Sequence, residues 1–97
     1  MIDNSQVADI FSLLSKLMDI HGENSFKSKS YSIAAFNIEK LPVKLADLPA
    51  DKLFALKGIG DNLGKKVLEI LETGRLKSLD DYIQKTPPGV LEMLQIK

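Results

Sequence analysis

A chain of 97 residues, 44% hydrophobic and 27% charged, suits one domain with an apolar core and is not compositionally disordered. Thirteen basic and thirteen acidic side chains give a net charge of zero, which excludes a polybasic protein that holds nucleic acid by bulk charge. The absence of cysteine excludes disulfides and thiol nucleophiles, and one histidine, His21, excludes a multi-histidine metal site. Because no apolar run approaches the roughly 20 residues of a membrane span and the start lacks a signal peptide's basic residues, we expect a cytoplasmic domain without a membrane partner. We also expect a monomer.

The first forty residues have the periodicity of two helices. Apolar residues recur at three- and four-residue spacing, which predicts an amphipathic helix from residue 4 or 5 to about 20, stopped near Gly22. His21, at the end of this helix, is interpreted as a partner of the helix dipole. A cap at Asn24 or Ser25 predicts a second helix, which ends before Pro42.

The rest of the chain breaks into short helices at its glycines and prolines. The predicted pieces are a turn or short helical segment over 42–49 and helices over 50–56, 60–73, 78–85 and 90–96. Ser78 and Asp81 have the spacing of a capping box at the start of the fourth piece. Phe11, Phe36 and Phe54 are interpreted as core. No window alternates as a strand does, so the prediction is an all-α bundle of four to six short helices.

The most informative segment is Gly58–Ile59–Gly60, which is followed by a helix that carries Lys65 and Lys66. The glycines allow positive φ angles and leave no Cβ between the backbone and a ligand, while Ile59 can enter the core. Free amides at the start of the next helix, with the positive end of its dipole behind them, form an anion site. Backbone donors cannot read bases, so this geometry predicts recognition of a nucleic-acid backbone.

The alternative is that these glycines make a tight turn and nothing more. The distribution of charge favours the phosphate interpretation. Residues 25–57 carry six lysines and three acids, and 58–78 carry four basic and three acidic side chains, whereas both ends of the chain are net acidic. A P-loop or a dinucleotide fingerprint is excluded because no strand precedes the glycines and no Lys-Ser pair follows them.

A family resemblance makes the interpretation more specific. The stretch LKGIGDNLGKKVLEILETGRL, over 56–76, resembles the helix-hairpin-helix of X-family DNA polymerases, the family of DNA polymerase beta and of bacterial enzymes with an added phosphoesterase domain. The segment 22–31 with Ala34 and Ala35 resembles the family's second helix, and 87–94 resembles the start of its second hairpin. The resemblance runs through 4–97, so we expect a single DNA-binding domain over 1–97, the amino-terminal part of a longer repair polymerase with its polymerase domain in cis.

The resemblance implies that this domain binds the 5′-phosphate side of DNA gaps or nicks, as in base excision repair. The residues that it assigns to DNA phosphate are Gly58, Ile59, Gly60, Lys27, Lys65 and Arg75. It also implies a monovalent cation, Na⁺ or K⁺, on the backbone carbonyls of Phe54, Leu56 and Ile59 when DNA is bound, and no other cofactor. In several family members the same domain is a 5′-deoxyribose-phosphate lyase, whose Schiff-base lysine would be Lys66 with Tyr31 in support.

Helix geometry supports a distinction between the two lysines. At about 100° per residue, Lys66 lies ~60° from Leu63, the centre of the apolar stripe, whereas Lys65 lies roughly opposite. Lys66 therefore borders the buried face, and Lys65 is solvated and can pair with Asp61 or Glu69. The alternatives are a Lys66 whose stem only covers the core and a Tyr31 that is only a core residue.

The chain departs from the family pattern at several charged positions. Asn62 and Ser78 stand where the family often has basic residues, and Asp61 adds a negative charge beside the phosphate site. We therefore expect weak binding that depends little on salt. DNA binding is the leading hypothesis, the lyase is the second, and a helical protein-interaction module whose glycine turn is only structural is the third.

Overall fold

The computed structural model describes residues 3–56 and 58–93, and these form a bundle of short helices. In chain order the elements are α1 (Asn4–Ile20), α2 (Ser25–Glu39), a 3-10 turn (Leu45–Asp47), α3 (Ala50–Phe54), α4 (Gly60–Thr73), α5 (Lys77–Lys85) and α6 (Pro88–Met93). No strand occurs within the described ranges, so the all-α prediction is confirmed. Residues 94–96 of the predicted last helix, and Lys57, lie outside the described residues.

The core lies mainly between α1 and α2. Phe11 of α1 is fully buried and meets Tyr31 of α2 edge to face, with the ring centroids 5.4 Å apart. The N-terminus of each of these two helices is capped by the side chain of its N-cap residue. Asp3 and Gln6 form a reciprocal capping box on α1, and Asn24 Oδ1 accepts the Phe26 amide at 2.8 Å on α2. Both predicted starts are confirmed.

Two buried serines link the same pair of helices. Ser15 Oγ donates to the Ser28 carbonyl at 2.7 Å, and Ser28 Oγ donates to Asp19 Oδ1 at 2.5 Å. Serine is a poor helix interior residue because it competes for backbone hydrogen bonds. In α2 this weakness is offset by bonds that fix the rotation of α2 against α1.

The start of α5 differs from the prediction. Its N-cap residue is Leu76, and neither Ser78 nor Asp81 caps it, so the predicted capping box is wrong. The Glu69 side chain of α4 replaces it, because Glu69 Oε2 accepts the amide of Lys77 at 2.7 Å. Ser78 lies within the first turn and its hydroxyl accepts a hydrogen bond from Lys66 Nζ at 3.0 Å.

Three smaller expectations are also corrected. Phe36 is 57% exposed, because Ala34, Ala35 and Ile38 form the side of α2 that faces the core. Pro88 begins α6 rather than preceding it, as suits a residue whose missing amide would have no helical partner. Lys65 pairs with neither Asp61 nor Glu69, since Arg75–Asp80 is the only ion pair in residues 3–56 and 58–93.

His21 is the C-cap residue of α1 and connects it to α5. Its Nε2 lies 2.8 Å from Thr86 Oγ1, and that hydroxyl donates to the Tyr82 carbonyl at 2.6 Å. Because the hydroxyl proton is used there, the imidazole must be the donor. Within the described ranges no helix combines the length and the apolar content needed to cross a membrane.

Candidate nucleic-acid interface

The turn between α3 and α4 has the predicted glycine geometry. Gly58 and Gly60 have φ angles of 82° and 66°, and Ile59 between them is only 5% exposed. The Ile59 amide donates to the Leu56 carbonyl at 3.1 Å, which closes the turn. The buried isoleucine therefore fixes the turn to the core while both glycines stay at the surface.

The N-terminus of α4 is open. Ile59 is its N-cap residue and no side chain caps it, whereas α1, α2 and α5 each receive a side-chain acceptor. The first amides of a helix point out of its end and have no partner within it. Because the positive end of the helix dipole lies there too, an anion at this end would be stabilised.

Two glycines allow close approach of neighbouring elements. A methyl group at Gly64 in α4 would overlap the ring of Phe54, so α3 and α4 meet at a point where only glycine fits. At Gly58 a methyl group would lie 2.6 Å from Asn37 Nδ2 and 3.7 Å from Ile33 Cγ2 of α2. The sequence interpretation missed Gly64, although a glycine in the middle of an otherwise periodic helix is a known sign of close packing.

The open end of α4 faces a groove of about 590 Å³. One wall is α2, which contributes Lys27, Ser30, Tyr31 and Ile33. The other wall is the segment from Gly58 to Leu63. The predicted glycine turn, the start of α4 and one predicted phosphate-binding lysine are thus brought together.

A second groove, of about 440 Å³, adjoins the first. The two share Lys27, Tyr31 and Asn62 as lining residues, and the second also contains Lys65 and Lys66. Four of the residues singled out from the sequence, namely Lys27, Tyr31, Lys65 and Lys66, therefore surround one space.

Lys66 and Lys65 differ as the helix geometry predicted. Lys66 is half-buried and its Nζ lies 3.0 Å from Ser78 Oγ, whereas Lys65 is exposed. The hydrogen bond to Ser78 holds the Lys66 amine at the wall of the second groove. The predicted position of Lys66 at the edge of the apolar face of α4 is confirmed.

Tyr31 is a core residue that also reaches this space. It is 3% exposed, and burial together with the nearby Tyr82 raises its pKa to about 12. A phenol is protonated at neutral pH, and the raised pKa keeps this one protonated above pH 10 as well, so it can donate a hydrogen bond but cannot serve as a base. The two interpretations of Tyr31, core and site, are compatible in this structure.

Arg75 lies apart from the other candidates. Its side chain is 75% exposed, pairs with Asp80 at 3.0 Å and lines neither groove. The carbonyls expected to hold a cation belong to Phe54 and Leu56 before the turn and to Ile59 within it. The Leu56 oxygen accepts the Ile59 amide and keeps a second lone pair. No group of three metal-ligating acidic, histidine or cysteine side chains occurs within residues 3–56 and 58–93.

Comparison with known proteins agrees with this geometry. Residues 2–76 match the family model of a helix-hairpin-helix domain. The chain belongs to this family. The helix-hairpin-helix domain is also 26% identical over 91 residues to the DNA polymerase/3′-5′ exonuclease PolX of Bacillus subtilis (strain 168), which confirms the resemblance to X-family polymerases. That alignment covers 91% of this chain and 16% of the relative, so the chain spans about one sixth of the relative's length.

Proposed function

We propose that this domain binds DNA without reading its sequence, at the 5′-phosphate side of gaps or nicks, as the amino-terminal part of an X-family DNA repair polymerase. The observation that carries the proposal is the uncapped start of α4, which opens into a groove that also contains Lys27. Family membership and the polymerase relative support DNA binding in a polymerase context.

The chemistry of the groove suits a terminal phosphate better than a base. Amides at the start of α4 supply directional donors. Lys27 supplies positive charge in the first groove, and Lys65 supplies it in the adjoining second groove. Such donors position a strand and carry no sequence information. A 5′-terminal phosphate has more negative charge and fewer neighbours than an internal one, so a compact site selects it.

The charge of the groove limits the affinity. Asp61 lies at the first turn of α4 and opposes the anion, and Asn62 is neutral. Each phosphate contact contributes about 0.9 to the slope of log affinity against log salt on duplex DNA. With Lys27 and Lys65 as the cationic contacts, we expect a slope of about −2.

Amide chemical shifts during titration with gapped DNA test the proposal. With a 5′ phosphate at the gap, Gly58, Ile59, Gly60 and their neighbours should shift most, and the same DNA with a 5′ hydroxyl should shift them little. Lys27→Ala should weaken binding and reduce the salt slope by about one. Lys16→Ala, an exposed lysine of α1 that lines neither groove, is the matched control. Equal shifts with both DNAs would contradict the phosphate assignment.

The wider setting of the domain is part of the same proposal. A polymerase domain in cis would fill the gap that this domain holds, and the work would take place on DNA in the cytoplasm. Na⁺ or K⁺ on the carbonyls of Phe54, Leu56 and Ile59 would bridge the turn to a DNA phosphate. Replacing K⁺ by a bulky organic cation at constant ionic strength should then weaken binding to phosphorylated gapped DNA.

Lys66 supports a second candidate function, a 5′-deoxyribose-phosphate lyase. Its amine is fixed by Ser78 beside Tyr31 in the second groove, next to the proposed phosphate site. A lysine amine can condense with the C1′ aldehyde of an abasic sugar, releasing water, and the resulting imine promotes loss of the 3′ phosphate by elimination. The protonated Tyr31 would donate a hydrogen bond to the sugar or phosphate.

Borohydride trapping on an incised abasic site separates this function from binding alone. The reductant converts the imine to a stable amine link, so the wild-type domain should become attached to DNA. Lys66→Ala should abolish the adduct, and Lys16→Ala, which removes an exposed lysine that lines neither groove, should leave it unchanged. An adduct that survives Lys66→Ala would exclude Lys66 as the nucleophile.

A further inference from the structure

Ser78 is held against the Lys66 amine by the start of α5. Lys66 Nζ lies 3.0 Å from Ser78 Oγ, and both residues are half-buried and line the second groove. On one side of Ser78 the amide of Lys77 donates to Glu69 Oε2 at 2.7 Å, and on the other side Leu79 is buried in the core. The hydroxyl therefore projects from backbone that is anchored on both sides, as a precisely placed functional group requires.

The Ser78 hydroxyl can donate a proton as well as accept one. A serine hydroxyl has one hydrogen and two acceptor lone pairs. In the contact with Lys66 it is the acceptor, because the amine donates. Across residues 3–56 and 58–93 the hydroxyl itself donates to no protein acceptor. Its own proton is therefore available to a molecule that occupies the second groove.

Imine formation requires protons to move from nitrogen to oxygen. When a lysine amine attacks an aldehyde, the nitrogen lone pair forms the N–C bond and the carbonyl π electrons move to the oxygen. The nitrogen then loses a proton and the oxygen gains one, which gives the carbinolamine. Loss of water repeats this exchange. The N–H electrons form the C=N bond, and the C–O electrons leave with the oxygen, which takes up a proton to become water.

A hydroxyl beside the amine makes both exchanges easier. The nitrogen and the oxygen are bonded to the same carbon, so direct transfer is badly bent, whereas hydrogen bonds and proton transfers favour linear geometry. A hydroxyl between them accepts the proton of the nitrogen and passes its own proton to the oxygen. Such a group must lie about 2.6–3.2 Å from the nitrogen, and Ser78 Oγ meets this requirement at 3.0 Å. The phenols of Tyr31 and Tyr82 also line the second groove, but among the described residues Ser78 is the hydrogen-bond partner of Lys66 Nζ.

We propose that Ser78 is a catalytic residue of the lyase, where it relays protons from the Lys66 nitrogen to the C1′ oxygen of the abasic sugar, an inference that rests on the second candidate function. Ser78 ends each exchange with the single proton that it had at the start, so no further reactant is consumed. Positioned proton transfer contributes about 10²- to 10⁴-fold to a rate. Water that enters the groove in place of the hydroxyl would relay some of the protons, so we expect a loss near the lower end of this range when Ser78 is removed.

Single-turnover borohydride trapping on an incised abasic site measures this step. Ser78→Ala should lower the rate constant of adduct formation at saturating DNA by about tenfold to a hundredfold. The DNA concentration that gives half the maximal rate should change less than about twofold, because Ser78 does not line the first groove. Ser78→Thr keeps the hydroxyl and should react within about threefold of the wild type. Ser32→Ala is the matched control, because Ser32 is an exposed serine of α2 that lines neither groove, and it should react like the wild type.

Imidazole buffer separates a proton relay from a hydroxyl that only positions the amine. Imidazole transfers protons near neutral pH and forms no imine. At constant pH and ionic strength, its concentration should raise the rate of Ser78→Ala and leave the rate of the wild type unchanged. A displaced Lys66 amine would not be corrected by a buffer.

Three outcomes would overturn the relay. A Ser78→Ala rate equal to that of the wild type, or a slow rate that imidazole does not raise, would exclude it and leave Lys66 as the nucleophile. No adduct with the wild type would exclude the relay together with the lyase. Fluorescence anisotropy with phosphorylated gapped DNA then shows separately whether the proposed DNA binding holds, because that measurement involves no imine.

Discussion

The α1–α2 pair and the α3–α4 pair are both joined through a glycine with positive φ, yet they are built differently. Between α1 and α2 the turn glycine, Gly22, has open space around it, and Asn24 then caps the next helix. Between α3 and α4 the turn glycine, Gly58, lies against α2, and the next helix is left uncapped.

The source of stability differs in the same way. The first pair is held by buried side chains such as Phe11 and Tyr31, whereas the second is held at Gly64, where backbone meets the Phe54 ring. At the turn between α1 and α2 the Asn24 side chain occupies the start of the next helix. At the turn between α3 and α4, the uncapped start of α4 leaves backbone amides that can donate hydrogen bonds to a ligand. We therefore expect a ligand at the glycine turn of α3–α4 and none at the turn of α1–α2.

The largest expected effect is at the backbone contact of the second pair. Gly64→Ala would drive a methyl group into the Phe54 ring and force α3 away from α4, at a cost of about 3 kcal/mol in the free energy of unfolding. Gly89→Ala in α6 meets nothing within 4 Å and should be neutral or up to about 1 kcal/mol more stable, since alanine favours helix. Urea denaturation measures both, and equal effects of the two substitutions would show that α3 and α4 do not meet at Gly64.

The second prediction concerns Tyr31 of the α1–α2 pair and the pH dependence of the free energy of unfolding. Because the pKa of Tyr31 is raised from 10.0 to about 12 in the folded state, its contribution is full below pH 10 and is lost as the pH rises towards 12. Two pKa units correspond to about 2.7 kcal/mol, so we expect a loss of between 2 and 3 kcal/mol over that interval. Burial and Glu23 also raise the pKa of Tyr82, so a smaller decline of the same sign should remain in Tyr31→Phe. A pH profile unchanged by Tyr31→Phe would refute the assignment to this phenol.

The third test compares the two turn glycines directly. Gly22 and Gly58 have φ angles of 73° and 82°, so alanine is strained at both by about 1 kcal/mol. At Gly58 the new methyl group also meets Asn37 Nδ2 at 2.6 Å, and because this is the end of a side chain that can turn away, the added cost should be well below that of Gly64→Ala. Thermal unfolding checks the difference. Titration with phosphorylated gapped DNA should show a loss only for Gly58→Ala, and an equal loss for Gly22→Ala would mean that the two turns do not differ in function.

The sequence predicts those parts of both pairs that depend on local pattern. The bounds of α1 and α4, the cap at Asn24 and the positive φ of Gly58 follow from spacing and residue type, as does the difference between Lys65 and Lys66. The contacts it does not predict join residues eight or more apart with no local signature. Glu69 reaches the start of α5, eight positions on, and displaces the capping box that Ser78 suggested. Phe36 is exposed because alanines and Ile38 take the core side of α2, a choice that helix periodicity cannot make in a segment with so weak an apolar face.

The smallest effect tests the contrast between closed and open helix ends. Asp3→Ala removes the capping box of α1 and should cost about 1 kcal/mol, measured by urea denaturation, while Asp3→Asn keeps an acceptor and should cost less. Neither should alter binding of phosphorylated gapped DNA, because Asp3 lines neither groove. At α4 no equivalent residue exists to remove, since Ile59 occupies the cap position and its side chain is buried. At α4 we expect a bound anion to take the place that the Asp3 and Gln6 side chains have at α1. Inorganic phosphate should therefore stabilise the wild type and Asp3→Ala equally, and extra stabilisation of Asp3→Ala would mean that any opened helix end in this fold binds the anion.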